Sequence, residues 1–153
     1  MESLWDEETG MYLNRRLDTG AFAHILTPFH FHALFSRRSK GAHAERMVRE
    51  HLLNPEEFWG EYVLPSIARN HPGYKDNDYW RGPTWLNVAY FAAKGLKNYG
   101  FAVADPIRET ILDMCLADRG GIYENYDSVT GKGLYCNHFS WSAVFIMELI
   151  WNF

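Results

Sequence analysis

Helical spacing of apolar residues is the sequence feature that most constrains the fold of this chain. Apolar residues recur at the period of an amphipathic helix in several segments along the sequence. The predicted helices cover residues 28–37, 41–54, 84–100, 105–120 and 137–151. No long alternating strand pattern competes with them. The chain is therefore predicted to be all-α, with sequential helices paired as antiparallel hairpins.

The connections between the predicted helices carry strong turn signals. Residues 55–82 contain three prolines, three glycines and several aromatic rings without a helical period, which is typical of a long functional loop. Residues 4–22 predict a short hairpin or an ordered loop. The pattern Asp-x-x-Thr-Gly occurs at Asp6 and again at Asp127. It indicates either a recurrent turn or an internal repeat of helical hairpins, and the sequence leaves both interpretations open.

Composition limits the class of protein. A chain of 153 residues with 47% hydrophobic residues can build one core, so a single domain over residues 1–153 is predicted. Aromatic residues make up 16% of the chain, so we expect some rings to line a surface or a cleft. The net charge of −4 and the dispersed basic residues argue against nucleic-acid binding, because phosphate contacts need a clustered Lys/Arg face.

The sequence also predicts a cytoplasmic protein. The N-terminal stretch MESLWDEETG has neither a basic nor an apolar leader region, and no apolar run approaches the roughly 18 residues of a membrane span. Cys115 and Cys136 lack metal-ligand spacing and are expected to be buried thiols in a reducing compartment. His30 and His32 are two positions apart, so one helix face cannot present both to a metal. Neither a metal nor a cofactor is predicted.

The stretch NDYWRGPTW, residues 77–85, is the strongest local signal for a site. It places two tryptophans, a tyrosine and an arginine around a Gly-Pro step at the start of a predicted helix. Such rings can stack on the apolar faces of sugars, and the arginine can donate hydrogen bonds to hydroxyls or a carboxylate. The alternative is a hydrophobic staple that closes the loop onto the helix.

Glu124 is the candidate for chemistry. It lies between Tyr123 and Tyr126 in GGIYENYDSVTGKG, and aromatic neighbours that exclude water raise the pKa of a carboxyl group toward the range of an acid or base catalyst. The alternative is an ordinary exposed carboxylate beside a turn. The residue pattern alone does not decide between the two.

Several segments resemble a known enzyme family when taken in order. YWRGPTWLNVAYFAAKGLKNYG, GGIYENYDSVTGKG and NHFSWSAVFIMEL resemble the C-terminal part of the (α/α)6-barrel glycoside hydrolases of family 63. That group includes processing α-glucosidase I, mannosylglycerate hydrolases and, more distantly, trehalases. The upstream stretches LWDEETGMYLN, LTPFHFHALF and LNPEEFWGEYVLPSIARNHPGY resemble the preceding helices and loops of the family. The resemblance covers nearly the whole chain.

The resemblance implies inverting hydrolysis of an α-glycosidic bond in an α-linked oligosaccharide or small glycoside. Glu124 would be the general base that deprotonates the attacking water. Trp141 matches a stretch of the family near the pocket floor, although Ser140 stands where the family usually has glycine. The residues expected to bind the sugar are Tyr79, Trp80, Arg81, Trp85, Tyr126 and Trp141.

One part of the family's machinery is missing from the sequence. An inverting glycosidase needs a second carboxyl group roughly 6.5–9.5 Å from the base to protonate the leaving oxygen. In the family this acid is an Asp in a Gly-Trp-Asp-like motif on an earlier helix, and the chain has no such motif. The chain resembles the last half of a barrel. It is expected to be a fragment of a longer protein, to pair with an upstream partner chain, or to close a ring with copies of itself.

Three functions therefore remain open from the sequence. The first is the base-bearing portion of an α-glucosidase or α-mannosidase. The second is a carbohydrate-binding or scaffold remnant that lacks the acid. The third is a helical interaction module whose aromatic residues all belong to the core.

Overall fold

The fold is built from short and medium-length helices joined by long loops. The computed structural model describes residues 2–75, 78–117 and 119–153, so position 77, the first of the stretch NDYWRGPTW, lies outside the described residues. The α-helices are α1 (His32–Phe35), α2 (Gly41–Met47), α3 (Leu86–Asn98), α4 (Ala104–Ala117) and α5 (Ser140–Trp151). A 3-10 turn over Pro28–Phe31 leads into α1, and a π-helical turn over Val48–Leu52 continues α2. Each predicted helical segment is confirmed, with ends that differ by a few residues.

Two small hairpins interrupt the helices. Strand β1 (Trp5–Asp6) pairs antiparallel with β2 (Met11–Tyr12), and β3 (Asn125–Tyr126) pairs antiparallel with β4 (Gly133–Leu134). Each is closed by one of the Asp-x-x-Thr-Gly turns. For the N-terminal segment the sequence predicted a hairpin or an ordered loop, and the structure shows the hairpin, whereas the second hairpin was predicted only as a turn.

The two turns use the same chemistry. The carboxylate of Asp6 accepts a hydrogen bond from the backbone N–H of Thr9 at 3.0 Å. The carboxylate of Asp127 accepts from the backbone N–H groups of Val129 at 2.7 Å and Thr130 at 3.1 Å. The glycine that ends each turn has φ of +74° in the first and +72° in the second, a conformation that side chains with a Cβ rarely adopt.

Helix α3 organises the core. It packs against α1, α4 and α5, and its buried face is rich in small residues that allow close approach. Gly95 is required where α3 meets α1, because a Cβ at this position would lie 2.8 Å from the backbone nitrogen of Phe35. The buried apolar side chains of the helices and hairpins form one contiguous cluster.

Helix α5 differs from its prediction. Its apolar character on most sides is typical of a fully buried helix. In the structure only Ser142, Ile146 and Leu149 are buried, because α5 packs through one face onto α3 and α4. The opposite side exposes large apolar residues, which are Trp141, Val144, Met147, Ile150 and Trp151.

The two cysteines lie in different environments. Cys115 is buried as predicted, and burial raises the pKa of its thiol to about 12, against a smaller opposing effect of a hydrogen bond with Tyr126. The prediction that Cys136 is buried is wrong, because this residue lies on the exposed segment after β4. No helix within the described ranges is long and apolar enough to cross a membrane.

Candidate active site

Backbone pairing holds the loop before α3 against the second hairpin. We call residues 78–85 the entry loop. The N–H of Thr84 donates to the carbonyl of Tyr126 at 2.7 Å, and the N–H of Tyr126 donates back at 3.0 Å. The Thr84 hydroxyl also donates to the carbonyl of Val63 at 2.9 Å, deep in the interior. This pairing brings the entry loop beside Glu124.

Contacts from separate parts of the chain fix Glu124. Its N–H donates to the carbonyl of Cys136 at 2.8 Å, and its own carbonyl accepts from the hydroxyl of Ser142 on α5 at 3.1 Å. The side chain is half-buried, and its Oε1 accepts a hydrogen bond from the Tyr79 hydroxyl at 3.0 Å. Glu124 is therefore a positioned carboxylate and differs from a freely solvated one beside a turn.

Tyr79 is the partner of that carboxylate and has an unusual backbone. Its φ of +48° lies in the left-handed region, which is uncommon for an aromatic residue. Its carbonyl accepts a hydrogen bond from the indole nitrogen of Trp85 at 3.0 Å. The hydrogen bond to Glu124 raises the pKa of Tyr79, and desolvation raises it further. The phenol therefore stays protonated and donates to the carboxylate.

Tryptophan rings form a layered platform next to Tyr79. The rings of Trp80 and Trp85 are stacked, with centroids 3.8 Å apart and planes within 6° of parallel. Trp85 lies underneath, only 2% exposed, whereas Trp80 is 37% exposed. The ring of Trp141, from the first turn of α5, lies 6.2 Å from that of Trp85. The partly exposed rings of Trp80 and Trp141 thus lie next to residues that hold Glu124: Trp80 contacts Tyr79, and Trp141 precedes Ser142.

Burial changes the expected roles of two residues. Tyr126 is completely buried, and its hydroxyl accepts a hydrogen bond from the N–H of Tyr123 at 3.1 Å. Trp85 is buried beneath Trp80. Both side chains therefore support the site from below in this structure, and the prediction that they contact sugar stays a prediction.

Arg81 is committed to a neighbour in this structure. Its guanidinium forms an ion pair with the carboxylate of Asp78, and both side chains are partly exposed. The guanidinium of Arg81 therefore points toward Asp78, within the entry loop. Arg81 remains at the rim of the site, where part of its side chain reaches solvent.

Two functional candidates escaped the sequence analysis. Tyr135, directly after β4, accepts a hydrogen bond through its hydroxyl from the N–H of Tyr79 at 3.1 Å. Ser142 holds the backbone of Glu124 as described above. No local motif signals either residue, because both act through contacts between segments that are distant in the sequence.

A buried amide lies directly beside the catalytic candidate. Asn125 is fully buried, and neither its side-chain nitrogen nor its side-chain oxygen has a hydrogen-bond partner among the described residues. An unpaired buried polar group costs about 1–3 kcal/mol. Departures from the rule that buried polar groups are hydrogen-bonded are typical of functional sites.

His30 and His32 make structural contacts with backbone carbonyls. A ring nitrogen of His30 lies 3.0 Å from the carbonyl of Ile25, and one of His32 lies 3.1 Å from the carbonyl of Val88. Burial lowers the pKa of both rings, so they favour the neutral form. Within residues 2–75, 78–117 and 119–153, no group of three His, Cys, Asp or Glu side chains is arranged to hold a metal.

The site as a whole is an open surface. It offers one carboxylate as a proton acceptor, a phenol that orients it, and exposed aromatic faces. A separate cavity of about 600 Å³ lies between α4 and the turn of the second hairpin, lined by residues that include Tyr62, Met114 and Lys132. The lining of this cavity does not include Glu124, so the cavity is distinct from the candidate site.

Comparison with known proteins gives the family. Residues 1–142 match the profile of the mannosylglycerate hydrolase MGH1-like glycoside hydrolase domain, so the chain belongs to that family. A mannosylglycerate hydrolase of Thermus thermophilus is 36% identical over 99% of the chain and 35% of its own length. A mannosylglycerate hydrolase of Rubrobacter radiotolerans is 33% identical over 97% of the chain and 34% of its own length.

Solved structures confirm the fold. The chain matches a family 63 mannosylglycerate hydrolase from another strain of T. thermophilus, in complex with Tris and D-glycerate, with a TM-score of 0.85 and 31% identity, over 99% of this chain and 36% of that one. Neutral trehalase of Saccharomyces cerevisiae shares the fold, with a TM-score of 0.76 and 21% identity, over 97% of this chain and 27% of that one. The fold is thus a partial (α/α)6 toroid, as predicted. The chain spans about a third of the length of the curated relatives it matches, 35% and 34% for the two named above.

Proposed function

We propose that this chain is the base-bearing portion of an inverting α-glycoside hydrolase and that Glu124 is the general base. The observation that carries the proposal is the hydrogen bond of 3.0 Å from the Tyr79 hydroxyl to Glu124, beside exposed tryptophan faces. A carboxylate held in this way can orient a water molecule toward a sugar bound against the rings.

The chemical step requires two groups. The oxygen of the water attacks the anomeric carbon while Glu124 takes its proton, and the bond from that carbon to the leaving oxygen breaks. A second carboxyl group must give a proton to the leaving oxygen. We place this acid in the part of the barrel that the chain does not span, either upstream in the same polypeptide or in a partner chain.

Sugar binding is assigned to the exposed residues around Glu124. Trp80 offers a partly exposed indole from the entry loop, and Trp141 offers an exposed indole from α5. Aromatic faces match the apolar C–H faces of pyranose rings. Tyr79 and Arg81 lie at the rim and can donate hydrogen bonds to hydroxyl groups or to a carboxylate of the substrate.

The substrate is proposed to be a small α-mannoside that carries an acidic aglycone. The two relatives described above, which match nearly the whole chain, are named mannosylglycerate hydrolases, and the family profile carries the same name. An α-glucoside is the alternative within this reaction class, because mannosyl-oligosaccharide glucosidases match over 61% of the chain at lower identity. We further propose the cytoplasm as the compartment, where Cys115 and Cys136 stay as free thiols.

The competing function is sugar binding without turnover. The observation that favours it is the missing Gly-Trp-Asp-like acid motif in the sequence. Such a chain would keep the aromatic platform and would bind α-mannosides with the catalytic base unused. A purely helical interaction module is the remaining candidate and would bind no sugar.

The test is hydrolysis that depends on Glu124. The chain is assayed with mannosylglycerate and with aryl α-mannosides and α-glucosides, alone and mixed with the upstream two-thirds of the T. thermophilus relative. We expect Glu124→Gln to lower kcat roughly 100- to 10,000-fold. Glu109→Gln, at an exposed position of α4 that is distant from the entry loop in sequence, is the control. Proton NMR of the first product should show the β-anomer, as inversion requires.

The outcomes separate the candidates. Equal turnover by Glu124→Gln and the unmodified chain would overturn the general-base role. Quenching of tryptophan fluorescence by sugar without hydrolysis in any mixture would support the binding module. Absence of both hydrolysis and sugar binding would leave the interaction module.

A further inference from the structure

Tyr135 is linked to Glu124 through Tyr79. Its hydroxyl accepts a hydrogen bond from the N–H of Tyr79 at 3.1 Å, and the two rings meet edge to face with centroids 5.4 Å apart. The Tyr79 hydroxyl in turn donates to Glu124. We propose that Tyr135 is a positioning residue that holds Tyr79 in the conformation in which it orients the Glu124 carboxylate. This inference rests on the proposed role of Glu124 as a base.

The backbone of Tyr79 is the first argument. With φ of +48° it occupies a region that an aromatic residue adopts only when surrounding contacts enforce it. The N–H is held by Tyr135, the carbonyl by the indole of Trp85, and the ring makes edge-to-face contacts with both of those side chains. Without one of these contacts, Tyr79 can relax toward the ordinary region and withdraw its hydroxyl from Glu124.

The segment that carries Tyr135 is the second argument. Tyr135 itself has φ of +59°, and the carbonyl of the next residue, Cys136, accepts a hydrogen bond from the backbone N–H of Glu124 at 2.8 Å. One short segment after β4 thus holds the backbone of Glu124 directly and the side chain of Glu124 through Tyr79. His138, two residues further on, also has positive φ, at +56°. Left-handed residues are therefore concentrated where this segment meets the entry loop.

The surroundings of Tyr135 make the role testable. Its side chain is 54% exposed, so Tyr135→Phe removes the hydroxyl without opening a cavity in the core. The phenylalanine ring keeps the edge-to-face contact with Tyr79. Tyr99→Phe is the matched control, because the Tyr99 hydroxyl also bonds to backbone, the carbonyl of Ser39 at 2.7 Å, beyond the opposite end of α3.

The first readout does not depend on catalysis. The chain is labelled with 13C in its tyrosine rings, and the Tyr79 signal is assigned with Tyr79→Phe and titrated with pH. Since the hydrogen bond to Glu124 raises the pKa of Tyr79, we expect Tyr135→Phe to move its titration down toward the ordinary tyrosine value of about 10. Tyr99→Phe should leave it in place.

A double variant tests whether the effect passes through Glu124. In a Glu124→Gln background, Tyr135→Phe should cause a clearly smaller downward movement, limited to the direct electrostatic effect of Tyr135 on Tyr79. An unchanged Tyr79 titration in Tyr135→Phe would overturn the inference. An equal shift with and without Glu124 would overturn it as well.

The kinetic readout connects the inference to function. In the mixture that hydrolyses glycosides, Tyr135→Phe should lower kcat by roughly 10-fold with little change in KM, since misplaced catalytic groups slow the chemical step more than they weaken binding. If the Tyr79 titration moves but turnover does not depend on Glu124, the positioning contact stands and the proposed function fails. If turnover depends on Glu124 but the Tyr79 titration does not move, the proposed function stands and the positioning role of Tyr135 fails.

Discussion

At the residue scale, His51 is held as a charged group. One ring nitrogen lies 2.7 Å from the carboxylate of Glu57, and the other lies 2.8 Å from the carbonyl of Thr9. Burial alone would lower the pKa of His51, but the hydrogen bonds to Glu57 and Thr9 outweigh it, so the pKa is raised. Both nitrogens donate only in the protonated ring. His51 thereby ties the N-terminal hairpin to the loop after α2.

The pH dependence of stability follows from this raised pKa. The stabilisation is fully present below the unfolded pKa of about 6.5 and is lost as pH rises through the folded value. We expect the melting temperature to fall as the pH rises above about 6.5. Glu57→Gln should lower the free energy of unfolding by about 2 kcal/mol at pH 6 and should reduce the fall in melting temperature with pH. Calorimetry over these pH values measures both effects.

The control is the neighbouring Glu56, whose side chain is exposed. Glu56→Gln should keep the full decline with pH. A decline of unchanged size in Glu57→Gln would show that the His51–Glu57 pair does not control the response.

At the scale of structural elements, the Asp-x-x-Thr-Gly hairpins provide a matched pair. Asp127→Ala removes the acceptor for the N–H groups of Val129 and Thr130, and Asp6→Ala removes the acceptor for Thr9. Each substitution should lower the free energy of unfolding by about 1–2 kcal/mol. Because the second hairpin adjoins Glu124 and leads to Tyr135, only Asp127→Ala should weaken sugar binding. Titration of tryptophan fluorescence with an α-mannoside distinguishes the two variants.

Hydrogen exchange gives the structural half of that test. Asp127→Ala should speed exchange of the amides in β3 and β4, and Asp6→Ala should do the same in β1 and β2. Equal loss of sugar binding in both variants would mean that the effect is global destabilisation, and the assignment of the site to the second hairpin would then fail.

The accuracy of the sequence predictions depends on how far apart in the sequence the contacting residues are. The helices were predictable because apolar period, Pro83 and Gly100 are local signals. The aromatic composition around Glu124 predicted a candidate site, but it left open whether Glu124 is a positioned carboxylate or an ordinary exposed one. The burial of Trp85 and Tyr126 was not, because it results from the pairing of Thr84 with a strand more than forty residues away. Tyr135 was missed for the same reason.

At the scale of the whole molecule, the exposed side of α5 is an apolar surface without a packing partner among the described residues. Beyond Trp141, which is proposed to bind sugar, Val144, Met147, Ile150 and Trp151 are at least 41% exposed, although α5 is one of the most apolar segments of the chain. The chain spans only 35% of its T. thermophilus relative. We therefore expect this face to contact the barrel helices that the chain does not span, because a large exposed apolar patch marks an interaction surface.

Association through this face can be measured directly. Light scattering after size-exclusion chromatography should show a one-to-one complex with the upstream two-thirds of the T. thermophilus relative, and Met147→Lys should weaken it at least roughly 10-fold. The substitution should change the free energy of unfolding of the isolated chain by less than about 0.5 kcal/mol, since Met147 is exposed there. Leu17→Lys, on a fully exposed residue far from α5 in sequence, should leave the complex intact.

The alternative is that copies of this chain close a ring with one another. The same experiment distinguishes this ring from the complex with the upstream segment. A ring of copies would appear in the isolated chain as an oligomer that dissociates in Met147→Lys, and adding the upstream segment would not displace it. Such a ring would contain several Glu124 carboxylates but no Gly-Trp-Asp-like acid, because the sequence has none. It should therefore bind sugar without the turnover that the heterologous complex gains. Turnover by the ring alone would require an acid from within this chain and would overturn the assignment of that role to the absent helices.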